Sequence, residues 1–121
     1  MSRKPTVFIS GPMTGREDYN RDEFNFEAKE LEKQGFIVLN PAILPDGLEH
    51  KHYMAMSLAM LEQADAIYLL EGWEKSTGAT LEFDRAKQRG LLFMYQSTEV
   101  FTAAVARFRQ QKGELREEVE Y

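Results

Sequence analysis

Apolar and polar positions along the chain fall into two alternating kinds of block. Short apolar runs with β-branched and aromatic members stand at Thr6 to Ser10, Phe36 to Leu39, Asp65 to Leu70 and Leu91 to Tyr95. Runs of that length, bounded by turn residues, read as strands buried on both faces. Between them the apolar residues recur at helical spacing. Tyr19 to Gln34 carries Phe24, Ala28 and Leu31 on one face, with Gly35 as a stop. A helix from about Tyr53 to Gln63 puts Tyr53, Met60 and Ala64 on one stripe. After Trp73 to Lys75, Gly78 or Thr77 opens a third helix, whose last turn holds Lys87 and Arg89 where the dipole favours cations and which Gly90 closes. The pattern also predicts a last helix from Thr98 to about Gln111 and a solvated, Glu-rich tail from Glu114 to Tyr121.

Strands alternating with helices imply βαβ units, and the handedness of their crossovers leaves few topologies. The expectation is an α/β, flavodoxin-like (Rossmann-like) three-layer sandwich, with a parallel sheet of about four strands in the order 2-1-3-4. Residues 1–113 form one domain in this reading, followed by the tail at 114–121. Ligands of such sheets sit beyond the carboxyl ends of the strands, at the switch point between the first and third strands. Two unusual loops fall at that edge: Ser10-Gly11-Pro12-Met13-Thr14-Gly15-Arg16, and Glu71 to Gly78.

Within the third helix, Glu82 lies three residues after Ala79 and four before Ala86, on the apolar stripe. An ionised carboxylate facing a sheet costs several kcal/mol unless it is paired, hydrogen-bonded or lining a wet cleft. Two geometries meet that condition. Glu82 either lines the cleft at the sheet edge, or turns to the helix flank and pairs with Arg85 or Arg89.

Composition narrows the classes. At 121 residues, 43% hydrophobic and 29% charged, the chain can bury a core unaided. The absence of cysteine removes disulfides, thiolate nucleophiles and Cys-based zinc sites. A formal charge of −5 argues against duplex nucleic acid and anionic membranes as partners, but not against a small anion held by backbone N–H groups. No apolar run approaches the roughly 20 residues of a membrane span, and the expected location is cytoplasmic. His50 and His52 lack a third ligand at metal spacing, so neither a metal nor an organic cofactor is implied.

Phe8-Ile9-Ser10-Gly11-Pro12-Met13-Thr14-Gly15, Leu61 to Ile67 and Gly78-Ala79-Thr80-Leu81-Glu82 together resemble the nucleoside 2-deoxyribosyltransferase superfamily. The likeness runs from about Val7 to Tyr95, nearest a small bacterial and phage branch and next to the 2′-deoxynucleoside 5′-phosphate N-hydrolases. It implies that Glu82 is the nucleophile attacking C1′ of a deoxyribose, forming a covalent glycosyl-enzyme. It further implies that Ser76 stands where the monophosphate hydrolases place a serine toward the 5′-phosphate. The plain alternative is that Ser76 only caps the helix.

Substrate contacts are expected from Ser10, Gly11, Pro12, Met13, Thr14, Gly15, Arg16, Ser57, Trp73, Ser76 and Gly78. Glycines allow close approach of the backbone, and Thr14 and Arg16 supply donors. Trp73 either stacks on a base or packs beneath its loop.

Ser57 is a departure, because the family has an aspartate there that assists protonation of the leaving base. A hydroxyl is no strong acid near neutral pH. Slow catalysis, protonation by Glu49 or His52, or a catalytically weak nucleotide-binding module are the three consequences. The likeness also implies a homo-oligomer, and Phe26, Met54 and Met56, off the core stripes, are its candidate interface.

Overall fold

A computed structural model describes residues 4–96 of the chain. The helix expected at 98–111 and the tail at 114–121 lie outside the described residues. In chain order the regular elements are β1 (Thr6–Ser10), α1 (Arg21–Lys33), β2 (Ile37–Leu39), α2 (His50–Leu61), β3 (Ala66–Leu69), α3 (Thr77–Arg89) and β4 (Leu92–Tyr95). The four strands make one sheet in the order β2-β1-β3-β4. Every pairing is parallel, with Phe8 opposite Leu39 and Ile67, and Ile67 opposite Phe93. This is the flavodoxin-like arrangement expected from the alternation of strands and helices.

Strand alternation sorts the core into two layers. Val7, Ile9, Ala66, Tyr68, Leu70 and Met94 pack with Phe24, Ala28 and Leu31 of α1. Phe8, Ile67 and Leu69 pack on the other face with Leu61 of α2 and Ala86 of α3. β1 and β3 are buried throughout, as central strands of a sheet covered on both sides must be. Asp65 ties their starts together: its Oδ2 accepts from Thr6 N–H at 2.8 Å, and its own N–H donates to the Thr6 carbonyl.

Three helix boundaries or faces differ from the sequence expectation. α1 begins at Arg21 rather than Tyr19, because Asp18, Tyr19 and Asn20 adopt left-handed backbone angles that no right-handed helix accommodates. α2 begins at His50 rather than Tyr53, since Glu49 N–H donates to the His52 Nδ1 three residues ahead and closes an extra first turn. Its buried stripe runs through Ser57 and Leu61, leaving Met60 half-buried. Of the three side chains expected at an interface, Phe26 is 60% exposed. Met54 and Met56 are half-buried. Among the described residues no helix is long and apolar enough to cross a membrane.

Candidate functional site

Ser10 ends β1, two residues after Phe8, so its side chain points to the layer that holds α2 and α3. Glu82 comes to the same place from α3, whose buried positions are Ala79, Glu82 and Ala86. The two meet: Ser10 Oγ donates to Glu82 Oε1 at 2.5 Å, with both residues buried. Burial pushes the Glu82 carboxyl up to about 7, against the opposing pull of the Ser10 hydroxyl. The flank alternative is not adopted. Arg85 instead pairs with Glu62 at 2.6 Å and Arg89 approaches the same carboxylate at 3.4 Å. The carboxyl thus faces the sheet, and among the described residues no cation pairs with it.

The start of α3 is built by Ser76. Its side-chain oxygen accepts from Ala79 N–H at 3.1 Å, an N-cap that satisfies one of the helix's free donors. The first N–H groups of the helix, at Thr77 and Gly78, have no intrahelical acceptor. Gly78 permits a close approach of α2. A Cβ there would lie 3.1 Å from Met54 Sδ and 3.8 Å from His50 Cε1. Trp73 stacks on Phe83, with ring centroids 4.5 Å apart, and Phe83 leans in turn on Phe93. Trp73 is half-buried in that stack.

The first loop leaves the sheet beside β3. Gly11 is required by space, because a Cβ on it would fall 2.7 Å from Leu70 Cβ. Pro12 is buried and Met13 packs against the α1 layer, while Thr14, Gly15 and Arg16 are exposed. Arg16 joins the two loops. Its Nη2 lies 2.8 Å from where a Cβ on Gly72 would stand, and the ring of Pro12 is also close. Gly72 is left-handed, with φ +89°, so a side chain there would be strained. Among the described residues no carboxylate forms an ion pair with Arg16.

Strain is concentrated next to this loop. Asp18, Tyr19 and Asn20 have φ of 47°, 55° and 64°. Left-handed backbone costs about 1–2 kcal/mol per non-glycine residue. Asn20 helps to hold the segment, donating from Nδ2 to the Pro12 carbonyl at 2.9 Å. Arg21 bonds Asp18 and Asp46, and its guanidinium lies over the Tyr19 ring.

Ser57 is buried on α2, one turn before Leu61 and on the side that carries Met54 against α3. His52 is engaged in the α2 cap, whereas His50 is brought against the start of α3. Of the positions expected from sequence, Ser10 and Glu82 are bonded, and Pro12 and Arg16 meet the second loop at Gly72. Thr14 and Gly15 project outward. Gly72, His50 and Asn20 were not anticipated. Gly72 alone carried a sequence signal, as a glycine directly after a buried strand at the ligand edge. Among the described residues no group of three or more His, Asp or Glu side chains is placed to hold a metal ion.

A second hydroxyl–carboxylate pair sits in the other layer. Tyr68 Oη donates to Glu27 Oε1 at 2.8 Å. Gln96 Nε2 donates to Glu23 at 2.7 Å and to Glu27 Oε2 at 3.1 Å, while its Oε1 accepts from Glu71 N–H.

No curated protein matches the chain significantly. One family does, over residues 5–95, a span that takes in all four strands of the sheet, both loops at their carboxyl edge and Glu82. The chain therefore belongs to the family described as Domain of unknown function (DUF4406).

Proposed function

We propose that this protein is an N-glycosidic-bond enzyme acting on deoxynucleosides or their 5′-monophosphates, with Glu82 as the nucleophile and hydrolysis favoured over base exchange. The observation that carries the reading is a buried carboxyl at the carboxyl edge of a doubly wound sheet, bonded by Ser10 and, among the described residues, without a cationic partner. A structural role would be served more cheaply by an apolar residue at that position. The likeness of the first loop and of Gly78 to Glu82 to the deoxyribosyltransferases supplies the substrate class.

In the reaction the Glu82 carboxylate bonds to C1′ as the C1′–N bond breaks, its electron pair leaving on the base, which takes up a proton. Water then attacks C1′ and frees the carboxylate, releasing the sugar and a proton. The cap at Ser76 keeps its hydroxyl proton for a phosphate oxygen, beside the N–H groups of Thr77 and Gly78. Arg16, against Gly72 in the second loop, supplies a cation. Exposed phosphate donors of this kind favour the monophosphate and hence hydrolysis.

Ser57 favours a second reading, a nucleotide-binding module with little turnover. It is buried where the deoxyribosyltransferases have an acid, so the leaving base has no carboxyl donor from that position. His50, against the start of α3, is the side chain we assign to replace it.

Chromatography of free base after mixing the protein with each deoxynucleoside and each 5′-monophosphate separates the readings. Base release that falls about a thousandfold or more in Glu82→Ala is the expected result. No release with any substrate, together with a nucleotide-dependent rise in melting temperature, establishes the binding module. Neither release nor a thermal shift would overturn both.

A further inference from the structure

We infer that Ser10 is a positioning residue that acts through Glu82 rather than on the substrate: its hydroxyl holds Oε1 and leaves Oε2 as the oxygen presented to the reacting carbon. The inference rests on the reading of Glu82 as the nucleophile. Ser10 is 1% exposed and its oxygen is 2.5 Å from Oε1, so it is spent on the carboxyl and has no surface left for a ligand. Its backbone is fixed as well. Ser10 pairs in register with Leu69, its carbonyl accepts from Leu70 N–H at 2.8 Å, and Gly11 after it is pressed against Leu70. A donor mounted on a central strand is a far more rigid reference than one on a loop.

The bond does two things for a carboxylate nucleophile. It fixes the last torsion of the Glu82 side chain, which otherwise turns freely about a broad two-fold well. It also stabilises the ionised form, the form that attacks, against the burial that disfavours it. Among the described residues no other group does this. Arg85 and Arg89 of α3 are directed to Glu62, Ser57 of α2 is uncharged, and among the described residues no charged side chain contributes to the Glu82 titration.

The test combines a titration that needs no turnover with the base-release assay. The Glu82 carboxyl is followed by carbon-13 NMR in the full chain, assigned by its loss in Glu82→Gln. In Ser10→Ala its midpoint is expected to rise by about one pH unit, because a donor to the ionised form is gone. Ser10→Cys keeps the volume but donates weakly, and is expected to follow Ser10→Ala. Ser10→Thr keeps the hydroxyl and is expected to return the midpoint toward that of the wild type.

In the assay, kcat falls about tenfold or more in Ser10→Ala with KM within about twofold, and the acid limb of the pH profile moves up with the NMR midpoint. An unchanged midpoint in both Ser10→Ala and Ser10→Cys overturns the inference. So does a rise in KM at constant kcat, which would place Ser10 on the substrate. A midpoint that shifts as expected in a protein that releases no base from any substrate leaves the Ser10–Glu82 coupling standing and sinks the enzyme reading instead.

Discussion

The two faces of the sheet carry the same chemical pair in different settings. On the α1 face, Tyr68 donates to Glu27, a half-buried carboxylate that also receives Gln96 from the end of β4. On the α2–α3 face, Ser10 donates to Glu82, which is 7% exposed. The Tyr68 hydroxyl is itself held strongly in its neutral form, first by burial and then by the carboxylate it bonds. There the apolar element of the pair is central and the charge lies at the edge, where a second donor and water share it. On the other face the charge is central, and among the described residues the Ser10 hydroxyl is the donor it receives. Hydrogen bonding alone does not mark a functional carboxyl; the mark is burial that the available donors leave uncompensated.

The largest consequence of that difference is a dependence of stability on pH carried by Glu82. In the folded chain its carboxyl holds a proton up to about pH 7, whereas its ordinary value is 4.5. Between those values the folded state keeps a proton that the unfolded state has released. Its stabilising effect is therefore complete below about pH 4.5 and is lost as pH rises toward 7, by about 3 kcal/mol in total. Glu82→Gln removes this titration. Urea denaturation of both proteins should show the variant gaining about 3 kcal/mol on the wild type between pH 4.5 and 8. A difference that stays flat over that range would mean that the carboxyl is solvated, and the contrast between the two faces would disappear.

Much of this was legible from local pattern. The buried runs of β1 and β3, the stop at Gly90 and the placing of Glu82 with Ala79 and Ala86 follow from period and caps. The strand order followed from connection rules, so the nearness of the two loops did too. Partners across the fold were not legible. Ser10 and Glu82 are 72 positions apart, and nothing in either segment selects that bond over a ligand contact. The stack of Trp73 on Phe83 likewise depends on how the intervening loop folds. The starts of α1 and α2 were misplaced for local reasons of an unfamiliar kind: three left-handed residues in a row, and a cap accepting at a histidine ring rather than at Glu or Gln.

Gly11 sharpens the comparison from the backbone. Gly11, directly after Ser10, leaves the sheet hard against Leu70. Gly11→Ala forces a Cβ into that contact, where the nearest atom is the Leu70 Cβ rather than a mobile side-chain tip. Chemical denaturation should show a loss of about 2 kcal/mol. The Glu82 carboxyl resonance should move with it, because the strand end that carries Ser10 is displaced. Stability equal to that of the wild type would mean that the loop yields freely, and Ser10 would not be the rigid donor that its bond to Glu82 requires.

Tyr68→Phe tests the quieter face, and its expected effect is the smallest. The ring stays, so the packing with Phe24, Ala28 and Met94 is kept while the bond to Glu27 is lost. A hydrogen bond of this kind contributes about 1 kcal/mol. Part of that loss should be offset, because Gln96 still donates to Glu27 and the carboxylate is within reach of water. Denaturation should accordingly show a decrease of about 1 kcal/mol or less. Base release should not change, since Tyr68 points away from the layer that holds Ser10 and Glu82. Were Tyr68→Phe to depress base release as far as Ser10→Ala, the two layers would be coupled through the central strands. The hydroxyl on β3 would then belong to the site as much as the one on β1.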